Sequence, residues 1–376
     1  MKKSFLAGLT HGEFLHRHWQ KRPLLACKAL AEHAGAIDRE HLFELAGREA
    51  IESRIVVRAR GGWRVRHGPF TRRDIDRLPR NGWTLLVQGV DTALRAASRL
   101  TRAFSFIPYA RLDDVMVSYA APGGGVGPHF DSYDVFLVQG AGRRRWRIGR
   151  QPDLTLVPNT PLKILARFAP DREWTLGPGD VLYLPPLWAH DGVALDECIT
   201  YSVGFRAPTA QELGSRFLDF LQDHLALKGR YADPDVRPTR APGRIPTDLV
   251  ARGAAMLEAL RWSRSDVAEF LGRYLSEPKP NIVFERPRRP LSAAVFGARA
   301  AAAGLRLALP TRMLFDERTV FVNGEAAALP RRGRKVLVRL ANDRAVAPPL
   351  VIDRAARDLL YAWYLAGYIA FGSADT

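Results

Sequence analysis

Between residues 114 and 206 glycine and proline cut the chain into short apolar runs, and no other feature limits its fold as tightly. The runs are Val115–Ala120, Val135–Gln139, Arg145–Ile148, Trp174–Leu176, Val181–Leu184 and Ile199–Phe205, preceded by β-rich Arg54–Arg58 and Trp83–Gln88. Turn signals fall at Pro122–Gly125, Gly140–Gly142 and Gly177–Asp180. Many short strands at this spacing predict a β-sandwich, jelly roll or barrel.

Helical patterns flank the β-region. Phe14, Leu15, His18 and Trp19 recur at helical spacing and Pro23 follows as a stop. Asp38–Ala50 is amphipathic, with Asp38 as N-cap. Beyond Pro208, Gln211–Leu227 reads as a helix with Leu213, Phe217, Phe220, Leu221 and His224 on one face. Two Pro-rich connectors, 231–247 and 278–290, bracket a helical stretch at Leu249–Tyr274. The remainder mixes short strands (Arg312–Phe315 and Val320–Val322) with helices near Arg334–Asn342 and Asp353–Ala366, and Asn323-Gly324 marks a tight turn. Helices followed by a small β-wing predict a winged-helix-like module, and the fold class overall is α+β.

Hydrophobic residues make up 47% of the 376 positions, enough for a real core. No apolar run approaches the roughly 18–20 residues of a membrane span. The start, Met1–Ala7, is too short an apolar stretch for a leader, so a cytoplasmic protein is expected. Cys27 and Cys198 lie far apart, which argues against a disulfide framework or a Cys-rich zinc site. The net charge of +17 points to an anionic partner, nucleic acid or a ribonucleoprotein, although the arginine surplus also fits a GC-rich genome.

The chemistry centres on Gly127-Pro128-His129-Phe130-Asp131. In a strand, residues two apart share a face, so His129 and Asp131 would offer an imidazole and a carboxylate to one point. A later strand and Pro-Pro pair lead to His190, which completes a 2-His-1-carboxylate triad of the kind that leaves three positions open on iron(II). In Arg143–Ile148 the alternation puts Arg144 with Trp146 and Ile148, turned into the barrel. A buried guanidinium needs an anion. The distal carboxylate of 2-oxoglutarate fits, and a structural salt bridge is the other reading. Arg143, Arg145 and Arg147 would form a solvated or docking face. Asp114, Met116 and Ser118 alternate onto one face, where Asp114 is either an acid for a cationic substrate or a strand-start acid. Tyr133 is either a pocket wall or core.

Four stretches, Phe14–Pro23, Gly123–Asp134, Gln139–Gly149 and Tyr201–Pro208, together resemble the bacterial ribosomal oxygenases, the JmjC/cupin-type 50S ribosomal protein arginine 3-hydroxylases of the ribosomal oxygenase A family. The similarity is specific over the first 240 residues or so and thinner in the last third. It implies a JmjC/cupin double-stranded β-helix (jelly roll) over residues 1–207, a helical dimerisation region over 208–277 and a winged-helix-like domain over 278–376. It also implies a homodimer, iron(II), 2-oxoglutarate and O2. Carried over by position, the metal ligands fall on His129, Asp131 and His190, the 2-oxoglutarate arginine on Arg144, and substrate contacts on Asp114, Met116, Tyr133 and Ser202. The implied substrate is an arginine of large-subunit ribosomal protein sixteen. One departure is visible: the Pro185-Pro186 pair is followed by Leu187 where the family usually has glycine, which leaves the loop shape before His190 open.

The expected reaction couples oxidative decarboxylation of the 2-oxo acid to hydroxylation of an unactivated C–H bond. Two rivals stand beside it. One keeps the chemistry but acts on a histidine or methyl-lysine of another protein. The other is a non-catalytic metal-binding cupin regulator whose C-terminal module contacts nucleic acid; such a regulator has no use for an inward Arg144 beside a complete triad.

Overall fold

The period-two alternation of the strands sorts them into two sheets with a shared interior. The computed structural model describes residues 5–59, 62–225 and 227–372, so the start of the Met1–Ala7 stretch lies outside it. Eleven strands build the β-region: β1 Leu24–Ala26, β2 Ser53–Ala59, β3 Gly62–His67, β4 Trp83–Val87, β5 Leu112–Ala120, β6 Asp134–Ala141, β7 Arg144–Gly149, β8 Arg172–Leu176, β9 Val181–Leu184, β10 Ala189–Ala194 and β11 Cys198–Phe205. One antiparallel sheet runs β1-β9-β6-β11-β5-β4-β2-β3, and a smaller one runs β10-β7-β8. This is the jelly-roll form of a double-stranded β-helix. The sequence pattern finds eight of these strands and misses β1, β3 and β10. β1 has only three residues, β3 carries Arg64, Arg66 and His67 on an edge, and β10 is diluted by Asp191 and Gly192.

Strands β6 and β9 of the large sheet serve two cores. Phe136, Val138, Tyr183, Tyr201, Val203 and Phe205 face outward onto a helical layer that supplies Phe14, Leu42, Leu45 and Phe104. Val135, Leu137, Leu182 and Leu184 face inward and meet Trp146, Ile148, Leu176 and Trp188. Burying one such side chain contributes about 1.5–3 kcal/mol, so both faces of the sheet are strongly specified. The helical layer includes α1, His11–Arg17, whose capping box joins Thr10 and Glu13 and whose Phe14 is fully buried. It also includes α2, Arg39–Ala46, N-capped by Asp38 as the sequence predicts but ending at Gly47, short of Ala50. Two shorter helices follow, α3 at Arg72–Asp76 and α4 at Arg95–Thr101.

After the β-region comes α5, Ala210–His224, N-capped by Thr209. On its expected apolar face Leu221 alone is buried, and Phe217 and Phe220 stand 5.3 and 5.8 Å from the ring of Phe270. The stretch Leu249–Tyr274 is not one helix. It divides into α6, Thr247–Glu258, and α7, Arg264–Ser276. The cause is a capping box in mid-run, Ser263 with Asp266, which satisfies a new set of helix N-terminal N–H groups. No residue of α6 is buried. After β12, Leu305–Leu307, comes a three-stranded meander, β13 Met313–Phe315, β14 Thr319–Val322 and β15 Glu325–Ala328; α7 bridges from α5 to it, and a Cβ on Gly272 would come within 2.4 Å of the Phe321 ring. Asn323 and Gly324, both at positive φ, make the tight turn between β14 and β15. A last core of Phe296, Leu305, Leu337, Leu340, Leu360 and Trp363 joins α8 (Ala293–Ala303), α9 (Arg334–Asp343) and α10 (Arg354–Ala366). No helix among the described residues is long and apolar enough to cross a membrane.

Candidate metal and substrate site

The segment from Gly123 to His129 is not a regular strand, so period-two alternation is not what positions the first two metal-ligand candidates. It lies antiparallel to β10, tied at both ends. Gly123 donates to the Ala194 carbonyl and Ala194 back to Gly124, at 2.8 and 2.9 Å. His129 and His190 exchange a reciprocal backbone pair at 2.9 and 2.8 Å, an isolated β-bridge. The glycines permit the approach: a Cβ on Gly125 would lie 2.6 Å from the Gly192 carbonyl oxygen. Gly127, at φ +79°, packs so tightly that a Cβ would meet Ile164 at 2.6 Å.

Held in this way, ligand atoms of His129, Asp131 and His190 all lie within 4.8 Å of one another. His190 Nε2 is 3.7 Å from Asp131 Oδ2, and the two imidazole centroids are 4.2 Å apart. Each ring has its Nδ1 at 2.9 Å from a backbone carbonyl, His129 from Gly127 and His190 from Trp188. Donation from Nδ1–H fixes the tautomer and leaves both Nε2 lone pairs for a metal. Burial, and then the neighbouring His129, push the His190 pKa down to about 4, so its imidazole is neutral and ready to ligate at physiological pH. Two imidazoles and one carboxylate brought to one point form the 2-His-1-carboxylate donor set suited to iron(II).

The loop before His190 is settled by Leu187. It adopts φ +64°, the left-handed conformation that glycine takes without cost, and its N–H donates to the Asp131 carbonyl at 2.7 Å. The loop keeps its turn despite the missing glycine, and the turn anchors the Asp131 backbone.

Arg144 points into the barrel, as its alternation with Trp146 and Ile148 predicts, and is 5% exposed. Its guanidinium lies 5.7 Å over the Trp146 ring. Nε and Nη2 are buried without a hydrogen-bond partner, and among the described residues no carboxylate pairs with this guanidinium. That is the arrangement a carboxylate-bearing co-substrate would complete. The outer arginines are not a free solvated row. Arg143 pairs with Asp196 at 2.8 Å and Arg147 with Asp191 at 2.6 Å, while Arg145 is half-buried.

The substrate-contact candidates converge only in part. Ser202 on β11 lies directly opposite Met116 on β5. Tyr133 is half-exposed, with Asp131 and Asp114 close to its ring, and burial and those carboxylates raise its phenol pKa. Asp114 is buried and already holds a cation, the chain's own Lys279, whose Nζ donates to Oδ2 at 2.8 Å; Gly89 N–H donates to the same oxygen at 3.1 Å. Lys279 sits in the second Pro-rich connector, and nothing local in Pro278-Lys279-Pro280 signals that it reaches across to β5. Beside it opens a cleft of about 370 Å³ lined by Asp113, Tyr133, Phe205, Arg206, Tyr274 and Lys279, among others.

A double-stranded β-helix with a facial triad and an inward, unpaired arginine defines a JmjC-type metal-dependent oxygenase fold. Known proteins bear this out. Residues 99–213 match the JmjC domain, and residues 259–370 match the ROXA-like winged helix. The chain is 36% identical over 327 residues to the ribosomal protein uL16 3-hydroxylase of Escherichia coli K12, covering 86% of this chain and 87% of that one. It therefore belongs to the ribosomal oxygenase family. The crystal structure of E. coli YcfD superposes with a TM-score of 0.84 at 34% identity, covering 96% of this chain and 98% of that one. YcfD, described as a ribosomal oxygenase, in complex with cobalt and 2-oxoglutarate gives 0.81 at 33% identity, with the same coverage.

Proposed function

We propose that this protein is an iron(II)- and 2-oxoglutarate-dependent oxygenase that hydroxylates an arginine side chain of ribosomal protein uL16. The observation that carries the oxygenase reading is the pairing, inside one barrel, of the His129–Asp131–His190 cluster with the unpartnered buried guanidinium of Arg144. The relationship to the uL16 3-hydroxylase supports the ribosomal substrate, and the buried Asp114, which already accepts one cation, supports arginine. A cytoplasmic location follows from such a substrate.

Bound iron(II) and 2-oxoglutarate supply, with O2, the oxidising power for C–H hydroxylation, the 2-oxo acid leaving as succinate and carbon dioxide. The chain's residues do the rest. His129, Asp131 and His190 hold the metal from one side. Arg144 grips the distal carboxylate of the co-substrate, and Trp146 beneath it keeps the guanidinium in place. Tyr133, Met116 and Ser202 line the approach for the aliphatic part of the substrate side chain. Asp114 takes its guanidinium by sharing or exchanging Lys279, so that a methylene faces the metal.

We further infer that the chain divides at 207/208 and 277/278 and that it dimerises through α5 and α6. The support is the uncovered apolar surface there, with Leu218 65% and Leu257 66% exposed. The test of the main reading is mass spectrometry of ribosomal proteins from cells with and without the gene. One added oxygen on a uL16 arginine is expected; an addition confined to histidine would transfer the activity to the rival substrate, and no addition would remove it.

A further inference from the structure

Away from the barrel interior, α4 faces the short strand Leu305–Leu307 of the C-terminal region across a cleft of about 40 Å³. Arg95, Ser98, Arg99, Arg102, Arg306 and Arg344 line it, together with apolar and backbone groups. Guanidinium groups thus converge from two distant parts of the sequence. Arg344 is committed to the fold: it donates to the carbonyls of Ala308, Leu309 and Thr311 at 2.9–3.1 Å and has Asp91 nearby. The other four differ. Among the described residues Arg95, Arg99, Arg102 and Arg306 pair with no carboxylate, and Nε of Arg306 is buried with no partner at all. Many arginines elsewhere on this molecule are paired, Arg39 with Glu197, Arg66 with Asp74 and Arg143 with Asp196 among them.

Like charges gathered without counter-charge cost free energy. Burial and the nearby Arg95 make the charged form of Arg306 harder to hold, and its pKa is lowered accordingly. An anion entering the cleft reverses that cost. The planar fork of arginine matches phosphate oxygens, and several forks around one small space favour a phosphate over a halide or a lone carboxylate. The cleft is small, so one anionic group enters it while the rest of a larger ligand stays outside.

We propose that this cleft is a phosphate-binding site and that its occupant is a backbone phosphate of RNA. The choice of a polyanion rests on the charge beyond the cleft. The chain carries +17, and Arg99 is exposed at the rim, so flanking phosphates gain from neighbouring positive potential where a free phosphate gains only from the cleft. The site is independent of the metal centre, and its test does not use hydroxylation.

The experiment measures fluorescence anisotropy of a short labelled single-stranded RNA with the full chain, between about 50 and 200 mM salt. It compares wild type, an Arg95→Gln/Arg99→Gln double variant, and a charge-matched control, Arg237→Gln/Arg240→Gln, in the exposed connector. The cleft variant should lose about tenfold or more in affinity, and its salt slope should fall by about 0.7 for each phosphate contact removed. The control should bind nearly as wild type does. Equal losses in both variants would reduce the effect to diffuse charge and overturn the proposal, as would a wild type that does not bind. A rise in Tm with inorganic phosphate, without RNA binding, would overturn the assignment to RNA. A second readout guards against misfolding. In phosphate-free buffer the cleft variant should melt above wild type, because like-charge repulsion is relieved; a lower Tm would mean that these arginines only hold the fold together.

Discussion

Replacing Arg144 by methionine separates co-substrate binding from fold stability, because the two should move in opposite directions. In the protein alone, Arg144 keeps a charge inside the barrel with Nε and Nη2 unpaired. Each unsatisfied buried donor costs about 1–3 kcal/mol. The stacking over Trp146, worth about 1 kcal/mol, recovers part of this. Methionine fills similar space without the charge, so Arg144→Met should raise the Tm of the co-substrate-free protein. With 2-oxoglutarate the balance inverts. Two hydrogen bonds from a guanidinium to a carboxylate contribute about 1.5–3 kcal/mol each, so their loss should raise the KM for 2-oxoglutarate by about 100-fold or more. The assay is succinate formation against 2-oxoglutarate concentration with iron(II) saturating, beside thermal melts with and without 2-oxoglutarate. Wild type should gain Tm on adding the co-substrate and the variant should not. A KM within about twofold of wild type, together with a lowered Tm, would show that Arg144 is structural and that another group binds the 2-oxo acid.

Other perturbations probe the rest of the site. Asp131→Ala should abolish turnover and weaken iron(II) binding measured by calorimetry; full activity would remove the metal assignment. Lys279→Met frees the Asp114 carboxylate, so KM for a uL16 peptide should fall while that for 2-oxoglutarate stays put; an unchanged peptide KM would mean that the substrate does not use Asp114. Leu187→Gly relieves a left-handed backbone worth about 1 kcal/mol at an exposed side chain, so Tm should hold or rise; a clear drop would show that Leu187 packs in a way its exposure conceals. Leu257→Asp on α6 should convert a dimer to monomers in light-scattering measurements, and a monomeric wild type would remove the dimer altogether.

What could be read from the sequence was whatever depends on local pattern. The inward turn of Arg144 follows from alternation with Trp146 and Ile148, and the strand runs follow from branched residues between glycines. The triad was found for a partly mistaken reason. His129 and Asp131 do not share a regular strand face; a Gly-rich segment bonded to β10 brings them together, and that strand, with its polar residues, was itself not legible. Lys279 was invisible because its role depends on a connector crossing to β5, a tertiary fact with no local mark. The outer arginines looked free because their partners, Asp191 and Asp196, lie on a different segment of the chain. The break between α6 and α7 was legible in principle, since Ser263 and Asp266 spell a capping box, but apolar periodicity runs across it.

The mutual main-chain bond between His129 and His190 also bears on how iron is acquired. Both rings are held through Nδ1 and both backbones through each other by bonds that use no metal-ligand atom, so these contacts order the ligands independently of the ion. This differs from small zinc modules, where the ion creates the fold. Chelation should therefore strip activity and leave an intact, reloadable apoprotein, whose working fraction tracks iron supply and not the folding machinery.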